Sequence, residues 1–246
     1  APDESATDGS SLAFTASNQT ALGTTLLAAV LATAVLLTIF IGWDIRRLSA
    51  SVSLAGGHDD PVLETRAQVW ADAQAQALNT QRELIENDPN APVLGNPDGD
   101  VTVVEFFDYN CPYCRRVKPE VRALIDADPN IRLVYREWPI LGDGSVFASK
   151  AALAARKQGK YEDFHWAMMG NEGRAEEVSV LRVAEEVGLD IAQLRADMDA
   201  PEVADHIATS MQLTQALGFN GTPSFVIGDA LVPGFVETDQ LAKLVA

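Results

Sequence analysis

The sequence predicts an α/β domain with a long helical stretch, preceded by a membrane helix and a connecting helix. Two runs rich in β-branched and aromatic residues, 101–107 and 131–137, flank a helical pattern and predict a strand–helix–strand unit. The chain from 143 to 217 carries apolar residues at spacings of three and four, which is typical of helices. The third observation is an apolar run at residues 21–43 that contains no ionisable side chain.

The apolar run at 21–43 is long enough to cross a bilayer. At ~1.5 Å per residue, a helix of this length extends roughly 34 Å, which matches the thickness of the hydrocarbon core. We therefore expect a transmembrane anchor at 21–43 after a disordered segment at 1–20; a buried core helix is the alternative. Residues 1–20 carry no Lys or Arg, whereas Arg46 and Arg47 follow the run. The positive-inside rule alone would therefore place the rest of the chain in the cytoplasm.

A linker and a long helix follow the apolar run. Residues 44–60 are predicted to be a linker, because the stretch is rich in small and polar residues and contains a Gly pair. Good helix formers after Pro61 predict a helix over 61–88. Its apolar residues form a near-heptad stripe of Val62, Val69, Ala73, Ala77 and Leu84. The helix either packs on its own domain or serves as a connecting or oligomerisation helix between copies of the chain.

The composition excludes several classes of protein. The 246 residues include 35 acidic and 18 basic side chains, which gives a formal net charge of −17. Because binding to a phosphate backbone requires clustered Lys and Arg, nucleic acid is not an expected partner. The two cysteines, Cys111 and Cys114, cannot build a disulfide-rich scaffold or a four-thiolate zinc site. No metal or cofactor is expected.

The two cysteines lie where the first predicted strand, 101–107, gives way to a helix. A thiol reacts as its thiolate, and the N-terminus of a helix lowers the thiol pKa through unpaired N–H groups and the helix dipole. Cys111 is therefore the expected attacking sulfur. Cys114 lies one turn deeper on the same face and is expected to resolve a mixed disulfide. Pro112 in the first turn fixes the loop geometry, and Tyr113 completes the dipeptide that tunes the redox potential.

Two other interpretations of the cysteine pair are weaker. A structural disulfide across a two-residue loop stabilises little, because so short a loop has little closure entropy to lose. Half of a metal site would need further ligands, and His58, His165 and His206 are distant in the sequence. His165, which lies between Phe164 and Trp166, is expected to pack in the core or on the surface rather than to catalyse.

Residues 103–121, VVEFFDYNCPYCRRVKPEV, resemble the active-site segment of the DsbA-like thiol:disulfide oxidoreductases, and the similarity continues from about Asn90 to the C-terminus. The CPYC tetrapeptide matches the Cys-Pro-x-Cys of that family. Glu105 corresponds to the buried acidic residue that assists proton transfer at the deeper cysteine; a salt bridge is the alternative role. Thr222 and Pro223 correspond to the loop whose cis-proline faces the cysteines and pairs with the substrate backbone.

The resemblance implies a thioredoxin fold over residues 89–246, with an inserted helical domain at about 143–217. It also implies a bacterial inner-membrane enzyme that exchanges disulfides with cysteine-containing protein substrates, as an oxidase or an isomerase. The catalytic domain would face the periplasm or the extracellular side. A membrane redox partner would reoxidise or reduce the cysteine pair.

Two alternative functions stay open on the sequence. CPYC is also the glutaredoxin active-site sequence, which would indicate a glutaredoxin-like or cytosolic thiol reductase. Cys111 and Pro223, however, are separated by a long helical stretch that the compact glutaredoxin chain lacks. The second alternative is a membrane-tethered metal or peptide carrier whose two thiolates hold Cu(I).

Overall fold

The computed structural model of the protein describes residues 61–245, in which helices cover both faces of one mixed sheet. The helices are α1 (Pro61–Asn87), α2 (Pro112–Ala127), α3 (Asp143–Ala155), α4 (Tyr161–Gly170), α5 (Glu177–Glu186), α6 (Ile191–Asp197), α7 (Pro201–Ala216) and α8 (Thr238–Val245), with a 3-10 turn at Arg156–Gln158. The strands are β1 (Val93–Gly95), β2 (Val101–Phe107), β3 (Ile131–Glu137), β4 (Ser224–Ile227) and β5 (Ala230–Pro233). The predictions for 1–20, 21–43 and 44–60 lie outside the described residues. Between residues 61 and 245, no helix combines the length and the apolar character needed to cross a membrane.

The sheet has five strands in the order β1-β3-β2-β4-β5. β2 and β3 run parallel, whereas the β1–β3, β2–β4 and β4–β5 pairs are antiparallel. Because β2 and β3 are covered on both faces, their sequences are nearly continuous apolar runs. Together with α2 they confirm the predicted strand–helix–strand unit. The cysteine pair lies at the carboxyl end of the central strand β2, where α/β sheets commonly carry their sites.

Side chains that alternate along the central strands build one core on each face of the sheet. Val103 and Phe107 belong to the core shared with α2 and the helices after β3. Val104 and Phe106 belong to the core shared with α1 and α7. The first core is the larger one and contains both cysteines, so the chemistry of the pair is set by the face that α2 covers.

The chain between β3 and β4 forms the predicted helical insertion, α3 to α7. α3 lies at its centre and packs against α4, α5, α6 and α7. Its buried face consists mostly of small side chains, which lets the neighbouring helices approach closely. These small residues are Gly144, Ser145, Ala148, Ser149, Ala151, Ala152, Ala154 and Ala155. The described chain therefore has a thioredoxin-like α/β fold with a helical insertion.

The second half of α1 packs on the sheet face opposite α2. Leu78 and Ile85 are buried in the core on that face, and α7 borders the same core. Further towards the start of α1, the Gln74 side-chain amide donates a hydrogen bond to the Leu217 carbonyl oxygen (2.9 Å). α1 is thus held by apolar burial at its end and by a polar contact one turn earlier.

The predicted apolar stripe of α1 is not the side of the helix that docks on the sheet. Val69 and Leu84, two members of that stripe, are exposed. The buried residues are Leu78 and Ile85, and of the predicted stripe Ala77 packs against their core. A heptad pattern assumes a partner helix, but the partner here is a sheet face, and a different side of the helix contacts it.

A buried ionic cluster joins the end of α1 to β3 and to the helical insertion. The fully buried Arg136 guanidinium lies 2.6 Å from the Asp88 carboxylate. The neighbouring Glu137 accepts a hydrogen bond from the Tyr161 hydroxyl (2.7 Å) and lies 2.6 Å from His206 Nε2. Buried charges are tolerated only when they are paired, so the removal of one partner would leave a costly isolated charge.

Leu78→Ala and Leu84→Ala remove the same side chain from the buried and the exposed side of α1. We expect Leu78→Ala, at a residue that is 2% exposed, to lower the free energy of unfolding by about 2–5 kcal/mol. Leu84→Ala, at 40% exposure, should change it by less than about 1 kcal/mol. Urea unfolding followed by circular dichroism measures both values. Equal losses in the two variants would contradict the docked position of α1.

Candidate active site

Cys111 lies at the start of α2, directly beyond the carboxyl end of β2. It is the N-cap residue of the helix, with an extended backbone and no side-chain capping bond. Its own N–H donates to the Asp108 carbonyl oxygen (3.0 Å), which closes the turn between the strand and the helix. The sulfur is thus beside the first unpaired N–H groups of α2. Cys111 and Cys114 are both free thiols in this structure.

Hydrogen bonds to its sulfur lower the pKa of the Cys111 thiol from 9.0 to about 6. The largest contribution comes from the Cys114 side chain, and burial, the second largest effect, acts in the opposite direction. The Thr222 side chain and the N–H groups of Cys114 and Tyr113 add to the stabilisation of the charged form. At neutral pH Cys111 is therefore mainly a thiolate, the nucleophilic form of the side chain.

Cys114 has the opposite ionisation. It lies one turn further along α2, buried against the core. Burial, the hydrogen bond to Cys111 and the nearby charge of Glu105 raise the pKa of its thiol well above the usual value. The pair therefore consists of one thiolate at the helix terminus and one neutral thiol behind it.

The loop that precedes β4 reaches the Cys111 sulfur. Cys111 Sγ lies 3.1 Å from the Thr222 carbonyl oxygen, to which the thiol form donates a hydrogen bond. The Thr222–Pro223 peptide bond is cis, as predicted. The Pro223 carbonyl oxygen accepts a hydrogen bond from the Gly234 N–H (2.8 Å), which ties this loop to the end of β5. The fold thus brings together residues from both ends of the catalytic domain.

Glu105 lies on β2 with 2% of its surface exposed. In the sheet it is in register with Tyr135 on β3 and Phe225 on β4. Burial, reinforced by the charge of Cys111, raises the pKa of its carboxyl from 4.5 to about 8. No ion pair to Glu105 forms anywhere between residues 61 and 245, so the salt-bridge interpretation is wrong. At neutral pH this carboxyl is mostly neutral and carries a proton.

Pro112 and Tyr113 form the exposed surface of the cysteine loop. Pro112 occupies the first helical position, where its fixed φ suits the helix and its missing N–H costs nothing. About half of Tyr113 is exposed, and its ring faces the Arg116 guanidinium. The structure therefore gathers the predicted site residues at one end of the sheet. These residues are Glu105, Cys111, Pro112, Tyr113, Cys114, Thr222 and Pro223.

Asp108 organises the site, and the sequence prediction missed it. Its fully buried carboxylate accepts hydrogen bonds from the Asn110 N–H (2.7 Å) and the Ser145 hydroxyl (2.7 Å). It also accepts from the N–H groups of Ile140 (2.7 Å) and Leu141 (2.9 Å). The carboxylate thus joins the turn before the cysteines to the loop that enters the helical insertion. The available signal was an Asp directly after a strand and two residues before an Asn, which is typical of a side-chain-bonded turn.

Asn110 and Arg115 hold the cysteine turn against a second segment of the insertion. The Asn110 amide donates to the Ala175 carbonyl oxygen (3.1 Å) and accepts from the Ala175 N–H (2.7 Å). The Arg115 guanidinium donates to the carbonyl oxygens of Asn171 (3.0 Å) and Gly173 (2.6 Å). Because the partners are backbone groups, no residue type in the sequence could have indicated them.

His165 packs in the core behind the site, as predicted. Its ring lies 4.2 Å from the Tyr135 ring and 5.7 Å from the Tyr161 ring, centroid to centroid, and its Nδ1 is 3.1 Å from the Tyr109 hydroxyl. Burial lowers the pKa of His165 to about 3, so the ring is neutral and unsuited to proton transfer at neutral pH. In the described part of the chain, no three His, Cys, Asp or Glu side chains cluster in a way that could hold a metal ion.

The fold and the two unequal sulfurs define the class of thioredoxin-like thiol:disulfide oxidoreductases. A family model described as a DSBA-like thioredoxin domain matches residues 102–246. The chain therefore belongs to the DSBA-like thioredoxin domain family, whose members are thiol:disulfide oxidoreductases.

Three solved structures illustrate the similarity. A thioredoxin-like oxidoreductase from Silicibacter pomeroyi DSS-3 is 72% identical, with a TM-score of 0.66, over 67% of this chain and 95% of that one. The thiol-disulfide exchange protein alpha-DsbA2 from Wolbachia pipientis is 31% identical, with a TM-score of 0.67, over 71% and 95%. The catalytic domain of ScsC from Proteus mirabilis is 28% identical, with a TM-score of 0.64, over 70% and 96%.

Two curated relatives differ in how much of their length is matched. The Na(+)/H(+) antiporter NhaA 3 of Salinispora tropica is 30% identical over 165 residues, which cover 66% of this chain. The chain spans 25% of the length of that antiporter. Disulfide bond formation protein D of Bacillus subtilis is 25% identical over 171 residues, which cover 63% of this chain and 75% of the relative.

The ultraviolet absorbance of the reduced protein should reveal a thiolate that titrates with a midpoint at about pH 6. Because the pKa of Cys111 is lowered in the folded state, its contribution to stability is lost as the pH falls through about 6 and grows as the pH rises towards 9.0. Cys111→Ser should abolish the transition. Cys114→Ser should move the midpoint upward, because the largest stabilising hydrogen bond is weakened. A midpoint near 9 in the wild type would contradict this description of the site.

Proposed function

We propose that the chain is a membrane-anchored thiol:disulfide oxidoreductase that exchanges disulfides with cysteine-containing proteins outside the cytoplasm. The observation that carries the proposal is the unequal ionisation of Cys111 and Cys114 beside the cis peptide bond of Pro223. Membership of a family of thiol:disulfide oxidoreductases supports it. The helical insertion between β3 and β4 favours it over a glutaredoxin-like reductase, whose chain is more compact.

The proposed reaction begins with the oxidised cysteine pair. A substrate thiolate attacks Cys111 Sγ, a bond forms between the two sulfurs, and the Cys111–Cys114 bond breaks with its electron pair on Cys114. A second substrate thiolate then attacks the substrate sulfur of this mixed disulfide and displaces Cys111 as a thiolate. The substrate is oxidised by two electrons and leaves with a disulfide, and the cysteine pair is reduced by the same two electrons.

The lowered pKa of Cys111 supports the oxidising direction. Because the protein stabilises this thiolate, Cys111 is a good leaving group and the reduced pair is favoured over its disulfide. We therefore propose disulfide donation to substrates, with isomerisation through reduced Cys111 as the second use of the pair. The similarity to disulfide bond formation protein D of Bacillus subtilis supports the same direction. A membrane redox partner would reoxidise the dithiol.

Glu105 is proposed to supply the proton that Cys114 needs when it leaves. A thiolate formed at Cys114 is buried, and burial disfavours its charge. Burial, the larger cause of the raised Glu105 pKa, does not depend on the redox state of the cysteines, so it favours the protonated carboxyl in the oxidised pair as well, and the charge of Glu105 influences Cys114 directly. Transfer of the proton neutralises the buried sulfur and makes the departure of Cys114 easier.

The loop at Thr222 and Pro223 is proposed to position the substrate backbone. The Thr222 carbonyl oxygen lies 3.1 Å from Cys111 Sγ, so a peptide bound along this loop would bring its own sulfur next to Cys111. Pro112 and the half-exposed Tyr113 would border the same substrate on the other side of the sulfur. Binding by backbone contacts suits an enzyme that handles many protein sequences.

Residues 21–43 are proposed to anchor the chain in the bacterial inner membrane, with the catalytic domain on the periplasmic or extracellular side. The apolar length of this run supports the anchor. The outward orientation is supported by the similarity to a periplasmic thioredoxin-like protein from Salmonella enterica, which is 28% identical with a TM-score of 0.63. Arg46 and Arg47 favour the opposite orientation, so the proposal needs a direct test.

Two reporters fused after Ala246 of the full chain test the orientation in a bacterial host. Alkaline phosphatase, which needs disulfides to fold, should be active, and green fluorescent protein exported in an unfolded form should be dark. Lysis should leave the phosphatase in the membrane fraction, and deletion of residues 21–43 should release it or abolish its export. A bright fluorescent fusion with an inactive phosphatase would overturn the outward orientation.

Residues 61–88 are proposed to connect the anchor to the catalytic domain and to allow self-association. Val69 and Trp70 expose large apolar surface on α1 ahead of the segment that docks on the sheet. Exposed aromatic and β-branched residues on a helix are typical of contacts with another chain. A homo-oligomer through this helix is the arrangement that would cover them.

Oxidation of a reduced, unfolded protein substrate tests the proposed activity. The oxidised wild type should restore disulfides, and Cys111→Ser should lose this activity completely because no sulfur remains to form the mixed disulfide. Cys114→Ser, with the same change one turn away, should instead accumulate a mixed disulfide at Cys111 when it is offered an oxidised substrate. Substrate capture on non-reducing gels and the return of substrate activity measure the two outcomes.

Glu105→Gln is the matched variant for the proton step in the same assay. It keeps the size of the side chain but cannot carry the proton, so we expect the rate to fall by about tenfold or more.

Equal activity in Cys111→Ser and the wild type would overturn the oxidoreductase proposal. A wild type that binds Cu(I) through both cysteines but turns over no thiols would favour the metal carrier instead.

A further inference from the structure

Arg116 lies between two aromatic rings on the surface around the cysteine loop. Its guanidinium carbon is 5.2 Å from the centroid of the Tyr113 ring and 5.9 Å from that of the Phe235 ring. Tyr113 precedes it by three residues on α2, which places the two side chains on the same helix face. Phe235 follows Gly234, whose N–H is bonded to the Pro223 carbonyl oxygen. Arg116 therefore connects the cysteine loop to the segment that holds the cis-proline loop.

The charge of Arg116 is not neutralised within the described chain. Between residues 61 and 245, the Arg116 side chain forms no hydrogen bond or ion pair, and it is exposed. The neighbouring Arg115 differs, because its guanidinium donates to backbone carbonyl oxygens of Tyr109 and Asn171. Glu120, one turn further along α2, accepts a hydrogen bond from the Thr238 N–H, and no contact joins it to Arg116.

The two rings orient the guanidinium without removing its donors. Contact with an aromatic face holds a cation through the quadrupole of the ring, and the planar N–H groups stay free to donate at the edge. A guanidinium fork of this kind matches the two oxygens of a carboxylate. In a chain with a net charge of −17, this exposed cation lies next to Tyr113 of the cysteine loop and next to Phe235, near the cis-proline loop.

We propose that Arg116 selects protein substrates that carry an Asp or Glu side chain close to the cysteine being oxidised. The inference rests on the proposed oxidoreductase function and names a substrate class for it. The guanidinium would bind the substrate carboxylate while the substrate thiolate attacks Cys111 Sγ and Cys114 departs with the electrons of the broken disulfide. Arg116 acts as a specificity-determining residue: it binds the neighbour of the reacting cysteine, and the sulfur chemistry stays the same for every substrate.

Two reduced peptides with one cysteine each, flanked by Asp in one and by Lys in the other, test the selection. Excess peptide is mixed with the oxidised wild type at low salt, and mass spectrometry of quenched samples gives the rate at which the protein disulfide is consumed. Each rate is divided by the rate of the same protein with dithiothreitol, an uncharged dithiol. The wild type should prefer the Asp peptide, and Arg116→Gln should reduce that preference by about fivefold, the value of one exposed charged hydrogen bond.

Comparing the peptide preference of the wild type with that of each variant removes effects that belong to the peptides themselves. Acidic neighbours change the ionisation of the peptide thiol itself, but this change is the same for each protein variant and cancels in the ratio of preferences. Arg116→Lys should retain part of the preference, and Arg116→Glu should reverse it towards the Lys peptide. Arg195→Gln removes the same charge from α6, where Arg195 pairs with Glu177, and should keep the wild-type preference.

The outcomes separate the selection from the proposed function. A wild type that fails to oxidise dithiothreitol would overturn the oxidoreductase proposal and the selection with it. A wild type that oxidises dithiothreitol but shows the same charge preference as Arg116→Gln would overturn the selection alone. A charge preference that is unchanged by added salt would also overturn the selection, because salt screens an exposed ion pair. A shift of the Cys111 thiolate midpoint in Arg116→Gln large enough to explain the rates would also overturn it, since Arg116 would then act through the sulfur.

Discussion

The hydrogen bond that the buried Cys114 thiol gives to the Cys111 sulfur makes the largest contribution to the ionisation of the pair. It forms because α2 begins at Pro112, so that two sulfurs three residues apart share one helix face. The same bond stabilises the thiolate at Cys111 and helps to keep the proton on Cys114. The redox chemistry of the domain therefore follows from where this helix starts, and the remaining structure has to fix that start.

The helical insertion supplies much of that support. The Asp108 carboxylate collects donors from the cysteine turn and from the loop that leads into α3, and Asn110 and Arg115 bind backbone groups further along the insertion. These contacts hold residues 138–145 and 171–175 against the turn between β2 and α2 that carries the cysteines. A thioredoxin core without the insertion would leave the Asp108 carboxylate buried with too few donors, which is costly. The insertion is thus part of the active-site framework.

Much of the fold and of the site could be predicted from the sequence, because those features depend on local patterns. The strands at 101–107 and 131–137, the helix that begins after Cys111 and the cis bond before Pro223 are confirmed. The docked side of α1, the role of Asp108 and the contact of Arg116 with the Tyr113 and Phe235 rings were not predictable in this way. Each of them depends on which distant segment packs against a residue, and neither hydrophobic period nor motif spacing contains that information.

Glu105 and Cys111 make the stability of the reduced domain depend on pH in opposite directions. The Glu105 pKa is raised, so its contribution to stability is greatest below pH 4.5 and is lost as the pH rises through about 8. The Cys111 pKa is lowered, so its contribution is greatest above pH 9.0 and is lost as the pH falls through about 6. The two groups are also coupled, because the Cys111 thiolate helps to raise the Glu105 pKa. In the disulfide form this charge is absent, so Glu105 holds its proton less tightly. The carboxyl therefore releases its proton most readily in the state in which substrate attack is about to create a thiolate at Cys114.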